Sequence, residues 1–170
     1  MTQIDTAALQ KLDSAHYLHP FTDHTDLAKK GARIITKAQG VHIWDSNDNQ
    51  ILDGMSGLWC VNMGYGQQSL VDAATKQMQT LPFYNSFFNT SVEPAIELAT
   101  LLSEITPPQF NHVFYSSSGS ESNDTILRMV RRYWDMQGEK QRKTIISRKN
   151  AYHGSTVAGA SLGGMTGMHE

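Results

Sequence analysis

Phe114-Tyr115-Ser116-Ser117-Ser118-Gly119-Ser120-Glu121-Ser122-Asn123 reads as a strand end, a turn of small residues and a helix start, in that order. The first N–H groups of a helix have no partner inside it and point outward, and the helix dipole adds partial positive charge there. A strand that delivers the chain to such a terminus builds an anion site. Gly119 allows close backbone approach, and Ser118 and Ser120 add hydroxyls, so a phosphate is expected over Ser118, Gly119 and Ser120. Serines here also cap helices routinely, so cap and phosphate cradle both stay open on this motif alone. The turn is neither a Walker loop, which needs Gly-Lys-Ser/Thr, nor a dinucleotide fingerprint, whose second and third glycines are missing.

Working outward, Ile126, Met129, Val130, Tyr133 and Trp134 repeat at helical spacing and Gly138 closes that helix. Thr144–Ser147 reads as the next strand and His112–Tyr115 as the preceding one. Before them, Ser91 is expected to cap a helix with apolar face Ala95, Leu98, Leu102 and Ile105, ended by Pro107-Pro108. From residue 91 the order helix, strand, helix, strand, helix indicates an α/β layer with a largely parallel sheet. Farther upstream, Ser69–Leu81 carries a helical face that Pro82 stops, and Met55–Gly66 is a loop rich in glycine and aromatics. Val41–Asp45 and Ile51–Asp53 flank Asn47-Asp48-Asn49 and read as a hairpin. The first thirty residues are polar and end in Lys29-Lys30-Gly31. These readings divide the chain into a smaller lobe over 1–66 and the start of a larger α/β domain over 67–170, incomplete at Glu170.

Asn150-Ala151-Tyr152-His153-Gly154-Ser155 follows a strand end, where open α/β sheets bind ligands. Tyr152 is therefore expected near Ser120, offering a flat face to an aromatic ring, with a core tyrosine as the alternative. His153 is a proton donor or a satisfied polar residue, and nothing in sequence pairs it with a nucleophile. Trp59 and the dense group Phe83, Tyr84, Phe87 and Phe88 lie in loops, where a pocket wall or subunit interface competes with core filling.

Of 170 residues, 39% are hydrophobic and 18% charged, with net charge −2, as in ordinary globular proteins; no basic stripe argues for nucleic acid. The single cysteine, Cys60, cannot form an intrachain disulfide, which fits a reducing, cytoplasmic setting. Met1–Leu12 lacks the pattern of a secretory signal, and no apolar run approaches the roughly 20 residues needed to cross a bilayer. No metal-ligand pattern stands out.

Several long segments in order carry a family resemblance: Leu18-His19-Pro20-Phe21-Thr22-Asp23, Gly54-Met55-Ser56-Gly57-Leu58-Trp59-Cys60-Val61-Asn62, Leu81-Pro82-Phe83-Tyr84-Asn85-Ser86-Phe87-Phe88, Ser118-Gly119-Ser120-Glu121-Ser122-Asn123-Asp124, and Asn150-Ala151-Tyr152-His153-Gly154-Ser155-Thr156. The sequence resembles the class III aminotransferases, pyridoxal-phosphate enzymes of fold type I, and within them the ω-transaminases of the amine:pyruvate and diamine:pyruvate branch. The resemblance implies transfer of an amino group from an amine, diamine or ω-amino acid to pyruvate. It implies that Ser118, Gly119, Ser120, Tyr152 and His153 bind pyridoxal 5′-phosphate. Phe21, Trp59, Phe87, Phe88 and Tyr152 would line the substrate pocket, Phe87 in the other subunit of a homodimer or of a tetramer of dimers. Ser122, Lys149 and Ala151 depart from residues common in relatives (Ala, Trp and Gly). The family's Schiff-base lysine is expected after Glu170, which leaves no catalytic residue within 1–170. A class III racemase, decarboxylase or lyase, and a phosphate- or nucleotide-binding module without catalysis, are the alternatives.

Overall fold

The Asn47-Asp48-Asn49 turn makes the hairpin the sequence announces. Strand β1 (Ile35–Gln39) pairs antiparallel with β2 (His42–Asp45), which pairs antiparallel with β3 (Gln50–Leu52). Asp48 takes φ +62°, a conformation a short polar residue tolerates. The buried carboxylate of Asp45 accepts from the N–H groups of Asn47 (2.9 Å) and Asn49 (3.1 Å) and from Asn49 Nδ2 (3.0 Å). Hydrogen bonding to Asn49 holds its pKa below the usual value.

This computed structural model describes residues 5–169. The chain divides into two compact units, one ending at Asn85 and the other beginning at Ser86. In the first, the polar N-terminal segment forms α1 (Thr6–His16) and α2 (His24–Lys30). Their start signals are Asp5, which accepts from the Ala8 N–H, and Asp23, which accepts from the N–H groups of Thr25 and Asp26. These are ordinary N-caps; α2 is seven residues long and largely polar, and α1 carries only two large apolar residues, Leu9 and Leu12. Thr6 and Gln10 fasten α1 to Ser46 and to the Ala32 carbonyl. The unit also holds α3 (Ser56–Trp59), a single turn wound left-handed within the expected loop, and α4 (Gln68–Thr80).

In the second unit, α5 (Glu93–Ile105), α6 (Gly119–Met136) and α7 (Val157–Leu162) follow the expected order, with a 3-10 turn at Thr166–Met168. Val92, not Ser91, occupies the N-cap of α5 and makes no side-chain cap bond. Pro94 stands at its second helical position, where a missing N–H removes no bond. Gly138, at φ +81°, follows the C-cap of α6 as expected. The segments expected as strands, 112–115 and 144–147, run without a ladder among the described residues. A parallel strand forms only where a neighbour supplies evenly spaced backbone bonds, and neither segment supplies them to the other.

No apolar side chain among the described residues is buried. Leu70 and Met78 on α4, Leu98 and Ile105 on α5, and Ile126, Met129 and Tyr133 on α6 are all exposed. The helices are amphipathic, as their spacing predicts, but nothing described covers their apolar faces. No helix among the described residues is long and apolar enough to cross a membrane.

Candidate active site

Ser118 is the N-cap of α6: its Oγ accepts from the Glu121 N–H at 3.2 Å. Glu121 reaches back and accepts from the Ser117 N–H at 2.8 Å, a reciprocal cap that pins the turn. Ser120 does something else. Its Oγ accepts from the backbone N–H of Ser155 at 3.1 Å, which leaves its own proton free to be donated. The N–H groups of Gly119 and Ser120 have no acceptor among the described residues. The two serines thus differ: Ser118 caps the helix, and Ser120 ties a distant segment to it.

The segment after the next extended stretch is drawn over this terminus by three bonds. Asn123 Nδ2 donates to the His153 carbonyl at 2.7 Å, Thr156 Oγ1 donates to Asp124 at 2.8 Å, and Ser155 bonds Ser120. Gly154 makes the approach possible. It sits at φ +125°, and a Cβ there would lie 2.8 Å from Ser120 Cα. Neither Asn123 nor Gly154 was a candidate from sequence, because their partners lie some thirty residues away and no local pattern marks them.

The result is a cleft of about 320 Å³ lined by Ser118, Gly119, Ser120, Asn123, Tyr152, His153 and Gly154. All five residues expected to hold a cofactor meet there. Tyr152 is half exposed, with its hydroxyl 3.1 Å from Ser155 Oγ, so the ring is not core. His153 is tied through its carbonyl; its imidazole makes no hydrogen bond to a described residue. The donor set fits a phosphate: outward N–H groups, a free hydroxyl proton and the positive end of an 18-residue helix. It fits an attached aromatic ring through Tyr152.

Phe87 and Phe88 adjoin, ring centroids 6.1 Å apart, in a loop closed by the N–H and Oγ1 of Thr90 on the Phe87 carbonyl. Phe88 is 92% exposed. Phe21 and Trp59 belong to the first unit, and both are exposed at positive φ. Trp59 ends the left-handed turn, in which Ser56, Gly57, Leu58 and Trp59 take φ +49°, +58°, +61° and +64°. Only glycine takes this conformation without cost; each other residue costs roughly 1–2 kcal/mol. Asp53 answers that strain. Its carboxylate accepts from the Gly57 N–H (2.8 Å), the Met55 N–H (3.2 Å) and the Tyr65 hydroxyl (2.7 Å). The Tyr65 bond, then the Gly57 bond, hold the Asp53 pKa low, while the carboxylate pushes the phenol of Tyr65 up. Asp53 and Tyr65 stand twelve residues apart, and no local pattern marks them as a pair.

Comparison with known proteins settles what kind of chain has this cleft. The family model described as aminotransferase class-III matches residues 26–170. The chain belongs to the class III aminotransferases. These enzymes depend on pyridoxal 5′-phosphate, the group for which the cleft is suited. The chain is 58% identical over its whole length to the putrescine–pyruvate aminotransferase of Pseudomonas aeruginosa, of which it covers 37%. Among solved structures it resembles an (S)-enantioselective ω-transaminase from Thermomicrobium roseum with TM-score 0.93 and 38% identity, over 98% of this chain and 37% of that one. It also resembles the ω-transaminase of Pseudomonas jessenii in complex with PMP, with TM-score 0.91 and 40% identity, over 95% of this chain and 36% of that one. The expected fold, an N-terminal segment of a fold type I aminotransferase, agrees with these likenesses. The chain thus spans little more than a third of the proteins it matches.

Proposed function

We propose that this chain is the N-terminal portion of an ω-transaminase that moves an amino group from an amine, diamine or ω-amino acid to pyruvate, giving alanine and an aldehyde or ketone. The carrying observation is the convergence of the free N–H groups of Gly119 and Ser120 with Tyr152 on one cleft, in a chain so similar to a putrescine–pyruvate aminotransferase. In this reading 1–66 contributes to a small lobe and 67–170 begins the cofactor-binding domain.

Gly119 and Ser120 would hold the cofactor phosphate through backbone N–H groups and the Ser120 hydroxyl, assisted by the dipole of α6. Tyr152 would stack on the pyridine ring, with Asn123 fixing the segment that carries it through the His153 carbonyl. When bound, the cofactor supplies an electron sink for the donor carbon. The chain's part is orientation and a fixed anion cradle, while the lysine that moves the proton is assigned to the sequence after Glu170. Phe21, Trp59, Phe88, Tyr152 and, from the partner subunit of a homodimer or tetramer of dimers, Phe87 would bound the donor side chain. A cytoplasmic location fits this reading.

The test is made on the full-length protein. It should be yellow, bleach on addition of putrescine and form alanine when pyruvate follows. A colourless protein that takes up no pyridoxal phosphate overturns the proposal, and bleaching without alanine overturns the choice of acceptor.

A further inference from the structure

The left-handed turn raises a question that the cofactor cleft does not answer: what keeps three residues with side chains at positive φ. Such strain persists only where the surroundings over-determine it. Here they converge on two residues. Asp53 takes three hydrogen bonds at its carboxylate, one from Gly57 within the turn, one from Met55 just before it and one from Tyr65. Tyr65 lies directly beneath the turn, since a Cβ on Gly57 would stand 3.0 Å from its hydroxyl. Both residues are anchored in turn. The Asp53 N–H donates to the Val41 carbonyl at 2.9 Å, and Tyr65 exchanges backbone bonds with Gly40 at 2.8 and 3.0 Å. The turn is bolted to the hairpin through this pair. The Trp59 indole, by contrast, is 78% exposed and makes no hydrogen bond or ring contact with a described residue. The backbone of the turn therefore sets the point and direction from which the side chain departs.

We propose that Asp53 and Tyr65 are positioning residues for donor selection: the carboxylate and phenol hold the left-handed turn and so fix where the Trp59 indole stands. This rests on the reading that Trp59 bounds the donor pocket. Loosening the clamp lets Ser56 to Trp59 relax toward ordinary φ and swings the indole, altering the room for a bulky donor while leaving the phosphate cradle untouched. Tyr65→Phe is the mildest variant, since it deletes one hydroxyl and keeps the ring. Asp53→Asn removes the charge and keeps the shape.

The experiment measures, on the cofactor-loaded enzyme, the kcat/KM ratio for a short aliphatic diamine against a bulky arylalkylamine. Wild type, Tyr65→Phe, Asp53→Asn, Trp59→Ala and the double variant Trp59→Ala/Tyr65→Phe are compared. Tyr65→Phe and Asp53→Asn should each shift the ratio by about fivefold or more, the low end for a displaced apolar wall, with cofactor affinity unchanged. In the Trp59→Ala background Tyr65→Phe should shift nothing further. The fluorine NMR signal of fluorotryptophan at position 59, assigned by its loss in Trp59→Phe, should move in Tyr65→Phe. If Trp59→Ala alone leaves the ratio unchanged, the pocket reading fails and the inference falls with it. If Trp59→Ala shifts the ratio but Tyr65→Phe and Asp53→Asn only lower the melting temperature, the pocket reading stands and the clamp is merely structural. A shift of equal size with and without Trp59 also overturns the inference. Should Asp53→Asn fail to fold, Tyr65→Phe carries the decision.

Discussion

Ser120 Oγ accepts a hydrogen bond from the backbone N–H of Ser155 at 3.1 Å, so a residue in the first turn of α6 holds the loop that follows Tyr152. One hydroxyl thereby serves two halves of the cleft. Ser120→Ala should loosen cofactor binding by roughly 1–3 kcal/mol, because both the tie to Ser155 and the donor to phosphate are lost. Ser118→Ala deletes the cap instead and should lower helix stability by about 1 kcal/mol, with the smaller effect on cofactor. Equilibrium cofactor titration alongside thermal melting separates them. Equal effects of the two variants on both readouts would contradict the division of roles.

Gly154→Ala should be more damaging than either serine variant. The residue sits at φ +125°, and its added methyl would overlap Ser120. Left-handed strain and overpacking each cost roughly 1–3 kcal/mol. Gly119→Ala meets no described atom within 4 Å of its Cβ and should keep the fold. Melting temperatures of the two variants in the full-length protein check the contrast.

Acid should release the clamp on the Trp59 turn. Hydrogen bonds from Tyr65 and Gly57 depress the Asp53 pKa below its ordinary 3.8. A depressed carboxylate contributes stability at pH above its unfolded value and loses it as pH falls through the folded value. The difference in melting temperature between wild type and Asp53→Asn should be constant at neutral pH and shrink below about 4. A difference that grows toward acid would mean the carboxylate is not the stabilising form.

Trp59→Ala and Phe87→Ala should change which amines are accepted more than they change cofactor binding. A methylene gained or lost in an apolar pocket is worth about 1–3 kcal/mol, so preference shifts without switching. Phe87→Ala should also weaken subunit association if its loop crosses an interface. Activity on a short and a bulky amine, with subunit mass recorded in parallel, decides both. A constant ratio in both variants would remove these residues from the pocket.

Produced alone, residues 1–170 should aggregate and show no turnover. The apolar faces of α4, α5 and α6 lie open, and large exposed patches drive association. No lysine lines the cofactor cleft, so the activated amine that covalent catalysis needs is missing there. Turnover by the isolated chain would contradict the assignment of the lysine to sequence after Glu170.

The sequence by itself determined what is decided within a few residues of the chain. The hairpin turn at Asp48, the start of α6 at Ser118 and the glycine that follows its end are settled by turn and cap chemistry between near neighbours. The ordered motifs placed the chain in its family for the same reason, since each is contiguous. Helices α1 and α2 escaped because α2 is short and polar and α1 has only Leu9 and Leu12 as large apolar residues, too few to mark a period, although Asp5 and Asp23 signalled their starts. Tertiary structure alone decided that Ser120 holds the loop after Tyr152, that Gly154 is where two segments touch, and that Asp53 and Tyr65 brace a left-handed turn. Each depends on atoms twelve to thirty-five positions apart in the chain, brought together by backbone folding that no local periodicity records.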